Sequence, residues 1–252
     1  MEGTPRRIMK LIKYYKDVLS LSQEKVMIKK GTEYYDAELG WDENNSVWII
    51  NYKEDIDDYY FVHELGHIYL AKKTNFEDFA KPYKDAPDLD GNFEPIFNGM
   101  LDGLADFRLC QFEEIYPILR ERYIKYLDDL DNTFSYIVEN ADYIQLLSWY
   151  ILWFQSLQFI ITTSDRKRNI KKIGRLLDFA EHNLLKFKGG IAQEDFKEVK
   201  VKLNEFDSIK GSLNPKEVLL HFANVLYASN LWDKKKILSQ VILYFPGIKE
   251  LL

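Results

Sequence analysis

The chain has 252 residues, 46% of them hydrophobic and 15% aromatic, which supplies apolar surface for a sizeable core and excludes disorder over any long stretch. Its net charge of -6 lacks the basic field that general nucleic-acid binding requires, so no nucleic-acid partner is expected. Cys110 is the only cysteine, which excludes an internal disulfide and a cysteine-cluster metal site; a metal here would be held by His, Asp or Glu.

Residues from about Thr4 to Leu19 place Ile8, Leu11, Ile12, Tyr15 and Val18 at helical spacing, predicting an amphipathic helix. Arg6, Arg7, Lys10, Lys13 and Lys16 interrupt its apolar residues, unlike the core of a secretory signal, so a cytoplasmic location is expected. Val26–Ile28, Glu33–Glu38 and Val47–Tyr52 are then rich in strand formers, with turn-like residues at Lys30–Thr32 and Gly40–Asn45. They predict a three-stranded antiparallel meander.

The pattern becomes helical after the meander. Asp55 or Asp57 is positioned to cap a helix running to about Lys72. Lys73 to Asn92, with Pro82, Pro87 and Gly91, reads as a long loop. A second helix is expected from about Glu94 to Ile115, interrupted by Pro117 and continued to about Asp129. Asn132 to Leu252 reads as four or five further helices, with a cap at Ser164 and Asp165 and breaks at Gly189-Gly190, Gly211 with Pro215, and Asn230. Ile144 to Thr163 carries no charge, but Gln145, Ser148, Gln155, Ser156 and Gln158 gather on one arc, as suits a helix packed into a core better than a membrane span. The basic run behind it, Arg166 to Arg175, reads as the solvated face of a helix. The expected fold is therefore α+β and mostly helical, a small antiparallel sheet followed by a helical half, with a boundary near Asp128–Thr133 that divides the chain into residues 1–130 and 131–252.

The chemistry concentrates in His63-Glu64-Leu65-Gly66-His67. On a helix, residues four apart share a face, so both imidazoles can reach one metal ion at about 2.0–2.1 Å. Glu64 is turned about 100° from His63, which takes it off the metal and toward a water beside it, where it serves as a general base. Gly66 removes a side chain and lets another element approach closely. A catalytic zinc normally takes a third protein ligand. His182 and His221 form no motif, whereas Asn98, Asp102 and Asp106 follow at four-residue steps on one face of the second helix, beside an apolar stripe. Carboxylates so placed need a partner, which a metal or a metal-bound His supplies; surface pairing, for instance Asp106 with Arg108, is the bland reading.

These two helices resemble those of the gluzincin group of zincin metallopeptidases, whose His-Glu-x-x-His helix is followed by a helix bearing Glu-x-x-x-Asp. The likeness covers about residues 46–110 and implies a zincin-like metallopeptidase domain over 1–130, with 131–252 a helical domain or subdomain. It implies Zn2+ held by His63, His67 and Asp102, and Asp106 orienting His63. Asp102 is one methylene shorter than the family's Glu, so the second helix must come closer to the metal, and Asp106 as ligand is the alternative. The likeness further implies a peptide or protein substrate, bound by strand addition along Val47 to Tyr52, and hydrolysed with Glu64 activating water. His221, Tyr59, Tyr60 and Tyr69 are of the type that stabilises an oxyanion in the family. A competing expectation is a zincin-derived regulatory or binding protein whose metal is structural, its fourth position filled by a protein ligand. Deformylase-like enzymes, which use a Cys ligand, are a weaker match, because Cys110 follows the His motif in the opposite order.

Overall fold

The computed structural model describes residues 6–31, 36–53, 57–82, 84, 86–125, 142–160, 166–187, 190–209 and 211–251, without side chains at 152, 153, 155–160, 166–169 and 206–209. The expected cap at Ser164 and Asp165 and the boundary at Asp128–Thr133 lie outside them. The fold is α+β and mostly helical. Helix α1 (Arg6–Val18) leads into a sheet of β1 (Val26–Lys30), β2 (Ala37–Asp42) and β3 (Val47–Tyr52).

The sheet corrects the expected antiparallel meander. Its order is β1-β3-β2, with β1 parallel to β3 and β2 antiparallel to it. Hydrophobicity explains the order. In β3, Val47, Trp48, Ile50 and Tyr52 are all buried, whereas in β1 only Ile28 is. The strand with most to bury takes the middle, where both of its edges are paired. Residues Gly40, Trp41 and Asp42, expected in a turn, are the last part of β2, and the turn that follows is held by Asp42 accepting from Asn45. Gly31, which follows β1, has a φ of 142°, a conformation that only glycine adopts readily.

Helix α2 (Asp58–Thr74) buries every residue from Phe61 to Ile68. A helix enclosed on all sides belongs to the interior: the sheet and α1 cover one side, and α3 (Glu94–Leu109) the other. Asp57 stands at its N-cap position without a side-chain cap bond. The loop after α2 contains a 3-10 turn, Glu77–Phe79. Helix α3 ends at Leu109 rather than near Ile115; α4 starts at residue 116 and is described to 125. Pro117 therefore lies in a first helical turn, where its missing N–H costs nothing, and the break falls before it.

The remaining helices are α5 (Tyr143–Ile160), α6 (Arg166–Leu184), α7 (Gln193–Ile209), α8 (Pro215–Ser229) and α9 (Lys234–Tyr244), followed by a 3-10 turn at Pro246–Glu250. Asn214 and Asp233 cap α8 and α9, and Asn230 ends α8 in the left-handed region, where the break was expected. Helix α5 is the uncharged segment. It packs on α3, α6 and α7 through Leu146, Leu147, Tyr150 and Ile151, while Ser148 donates to the carbonyl of Pro95 at 2.6 Å. Among the described residues, no helix is long and apolar enough to cross a membrane.

Two apolar clusters result. One joins α1, the sheet, Phe61 to Ile68 of α2 and Leu119 of α4. The other joins Leu70, Phe79 and Phe93 to Ala105 with α5 to α9, and so draws on both sides of the expected boundary. Helix α3 is the wall between them. Its Arg108 crosses toward the helical half, donating to the carbonyl of Ser212 at 2.7 Å rather than pairing with Asp106.

Candidate metal centre

Helix α2 presents His63 and His67 one turn apart, toward Asp102 on α3. The two Nε2 atoms are 3.2 Å apart, and Asp102 Oδ1 lies 3.6 Å from that of His63 and 3.3 Å from that of His67. Neighbouring donors of a tetrahedral zinc site with 2.0–2.1 Å bonds stand about 3.3–3.4 Å apart. The spacing and chemistry of this donor set thus fit a zinc ion. Among the described residues these three form a group of the right spacing to hold a metal, and no fourth His, Cys, Asp or Glu belongs to it.

The close helix approach expected of a short Asp is present, and Gly66 permits it. A Cβ on Gly66 would lie 2.6 Å from Leu109 Cδ1 and 3.0 Å from its Cγ, so a side chain there would have to displace the buried Leu109 side chain or α3 with it.

Each imidazole is aimed by its outer nitrogen. His63 Nδ1 lies 2.7 Å from Asp106 Oδ1, and His67 Nδ1 lies 3.3 Å from the carbonyl oxygen of Phe79, in the 3-10 turn. With both Nδ1 atoms donating, both Nε2 lone pairs point into the cluster. Asp106 therefore sits on the opposite side of His63 from the cluster. It is 1% exposed, and it also accepts from Tyr59 Oη at 2.8 Å and from the hydroxyl of Tyr123.

Burial opposes charge on His63, yet Asp106 and Asp102 outweigh it and raise its pKa well above the ordinary value. The Asp102 carboxyl is lowered: burial pushes it up, but the two imidazoles pull it further down. Both shifts have one cause, the close approach of carboxylate and imidazole in a buried cluster. Glu64 is 8% exposed, and burial raises its pKa against the lowering pull of His63 and His67. A carboxyl so tuned is closer to the range useful for proton transfer near neutral pH.

The other sequence candidates are elsewhere. Asn98, on the same face as the two Asp residues, accepts from the Tyr244 hydroxyl. His221 is buried in α8, within reach of the charges of Glu205 and Lys202 on α7. Tyr69 packs edge-on against Phe112, and Tyr60 Oη accepts from Arg122 at 2.5 Å. Cys110 Sγ donates to the Phe107 carbonyl at 3.0 Å. Val47–Tyr52 cannot be a substrate edge, since β3 is paired on both sides; among the described residues the outer edge of β2, which contacts α2, carries no partner strand. Sequence reasoning named Tyr59 only among oxyanion candidates, not as a partner of Asp106, and did not single out Tyr123 or the Phe79 carbonyl. Tyr59, four residues before His63, carried a spacing signal; the other two carried none.

Comparison with protein-family models, curated proteins and solved structures found no match for this chain.

Proposed function

We propose that the protein is a zinc-dependent metallopeptidase of the gluzincin type. The observation that carries this reading is a three-donor group, His63, His67 and Asp102, at tetrahedral spacing beside a buried Glu64. Zinc bound there would supply Lewis acidity, polarising a carbonyl and lowering the pKa of water. Glu64 takes the proton of the attacking water and returns it to the leaving amine, a role that its raised pKa favours. Asp106 and the Phe79 carbonyl keep the two imidazoles aimed throughout. A structural metal in a binding protein would need a fourth protein ligand, and the group among the described residues offers three.

For the substrate, the β2 edge supports an extended peptide added as a fourth strand. Lys81 lies over the Trp41 ring of β2 at 5.0 Å, which brings that edge beside the segment that follows Phe79. A single cysteine, with no internal disulfide to form, favours a cytoplasmic setting.

The test is Glu64→Gln, assayed for bound zinc and for hydrolysis of a mixture of unstructured peptides. The variant is expected to keep its zinc and to lose about 10²–10⁴-fold in rate. Unchanged hydrolysis would remove Glu64 from the mechanism, and a parent protein that takes up no zinc would remove the whole reading.

A further inference from the structure

Asp106 is tied down more firmly than one bond to His63 explains. Its Oδ1 faces His63 Nδ1 at 2.7 Å, while its Oδ2 accepts from two tyrosine hydroxyls, those of Tyr59 and Tyr123. A carboxylate held at one oxygen can turn about its last torsion, which for Asp is broad. Turning would carry Oδ1 away from Nδ1 and leave the imidazole free to tilt. Donors on the second oxygen remove that freedom and satisfy a carboxylate that water barely reaches.

The two hydroxyls come from different elements. Tyr59 precedes His63 by one helical turn on α2, while Tyr123 reaches in from α4. Helix α4 is held over that turn of α2 by Arg122, which donates to Tyr60 Oη at 2.5 Å and lies over the rings of Tyr59 and Tyr60 at 5.6 and 5.0 Å. The Tyr59 and Tyr123 rings meet edge to face at 6.3 Å. Asp106 is thus enclosed between two helices that both donate to it.

We infer that Tyr59 and Tyr123 are positioning residues of the zinc site, a clamp on Asp106 that fixes the direction in which His63 presents Nε2. The inference rests on the zinc reading above and adds α4 to the elements that build the site. Tyr60 supplies the control: its hydroxyl also joins α2 to α4, but through Arg122 and not through Asp106.

The experiment measures Zn2+ affinity by competition with a chromophoric chelator, together with the visible absorption of the Co2+-substituted protein, for the parent chain, Tyr59→Phe, Tyr123→Phe, the double variant and Tyr60→Phe. Each single clamp variant is expected to bind Zn2+ about 10-fold more weakly, and the double variant about 100-fold, the range typical when a partner behind a ligand is lost. Their Co2+ spectra shift, while Tyr60→Phe keeps both affinity and spectrum. Thermal midpoints of the metal-free proteins separate packing from positioning, since a purely structural role lowers the midpoint and leaves affinity intact. Should the double variant not fold, the single variants, which each remove one hydroxyl, carry the test. Clamp variants that bind Zn2+ as Tyr60→Phe does would overturn the inference and leave the zinc reading standing; a parent chain that binds no Zn2+ would overturn both.

Discussion

His63 and His67 are held by unlike acceptors, a buried carboxylate and a backbone carbonyl. A carboxylate behind an imidazole makes it the stronger donor, so in the proposed zinc site His63 would be the stronger of the two imidazole ligands. Asp102 differs from both, because its side chain is 37% exposed and is the face of the cluster that meets solvent. Among the described residues, no hydrogen bond from behind fixes its direction as Asp106 fixes that of His63. As the proposed third ligand, its replacement should cost more than an outer partner does. Asp102→Ala is expected to weaken Zn2+ binding by more than about 100-fold, read by titration calorimetry. An affinity equal to the parent's would remove Asp102 from the ligand set.

Among the elements, α2 and α3 make the centre, and their separation decides whether an Asp can serve where a Glu would reach more easily. Gly66 allows the close approach, since the position of its absent Cβ is taken by the Leu109 side chain. Gly66→Ala is expected to cost about 1–3 kcal/mol through overpacking, measured by chemical denaturation, and to weaken Zn2+ binding as α3 moves outward. Pairing it with Leu109→Ala should restore the helix approach and much of the metal affinity, even though the cavity keeps stability low. Affinity that stays low in the pair would place the cause within α2 itself. The His-Glu-x-x-His spacing made α2 legible, and the four-residue steps from Asn98 to Asp106 did the same for α3. Spacing alone did not say which of the two Asp residues faces the cluster, because both lie on one helical face; only the resemblance pointed to Asp102.

For the whole molecule, the helical half does more than follow the sheet-bearing half. Its core is continuous with Leu70, Phe79 and Phe93 to Ala105, so α5 to α9 share a core with the elements that carry the candidate centre. Phe79, whose carbonyl aims His67, stacks edge-on against Phe76 and Phe245, and Asp78 beside it accepts from the backbone of Gly247 at 2.7 Å. The chain's last turn thereby steadies a residue of the site. Buried His221 belongs to the same core, and burial lowers its pKa from 6.5 to about 4. Between those values the unfolded chain binds a proton that the folded chain refuses, so stability falls as pH drops through that window. The full effect is on the order of 3 kcal/mol at most. His221→Leu is expected to flatten the pH dependence of unfolding free energy between pH 6.5 and 4 relative to the parent; parallel curves would assign the acid sensitivity to other groups.

Local spacing alone determined the helices, the strand-rich segment before them, the pair of imidazoles on one face and the Glu beside them, because each follows from a periodicity within a few residues. It also marked the uncharged segment at Ile144 as a core-packing helix, in which Ser148 bonds the Pro95 carbonyl of α3. Tertiary structure decided what spacing leaves open: that β3 and not an edge strand takes the centre of the sheet, that Asp102 joins the histidines while Asp106 stands behind one of them, and that Tyr123 and the Phe79 carbonyl enter at all. Those outcomes turn on which surface has most to bury and on distances between elements far apart in the chain, and neither is written in any short stretch of sequence.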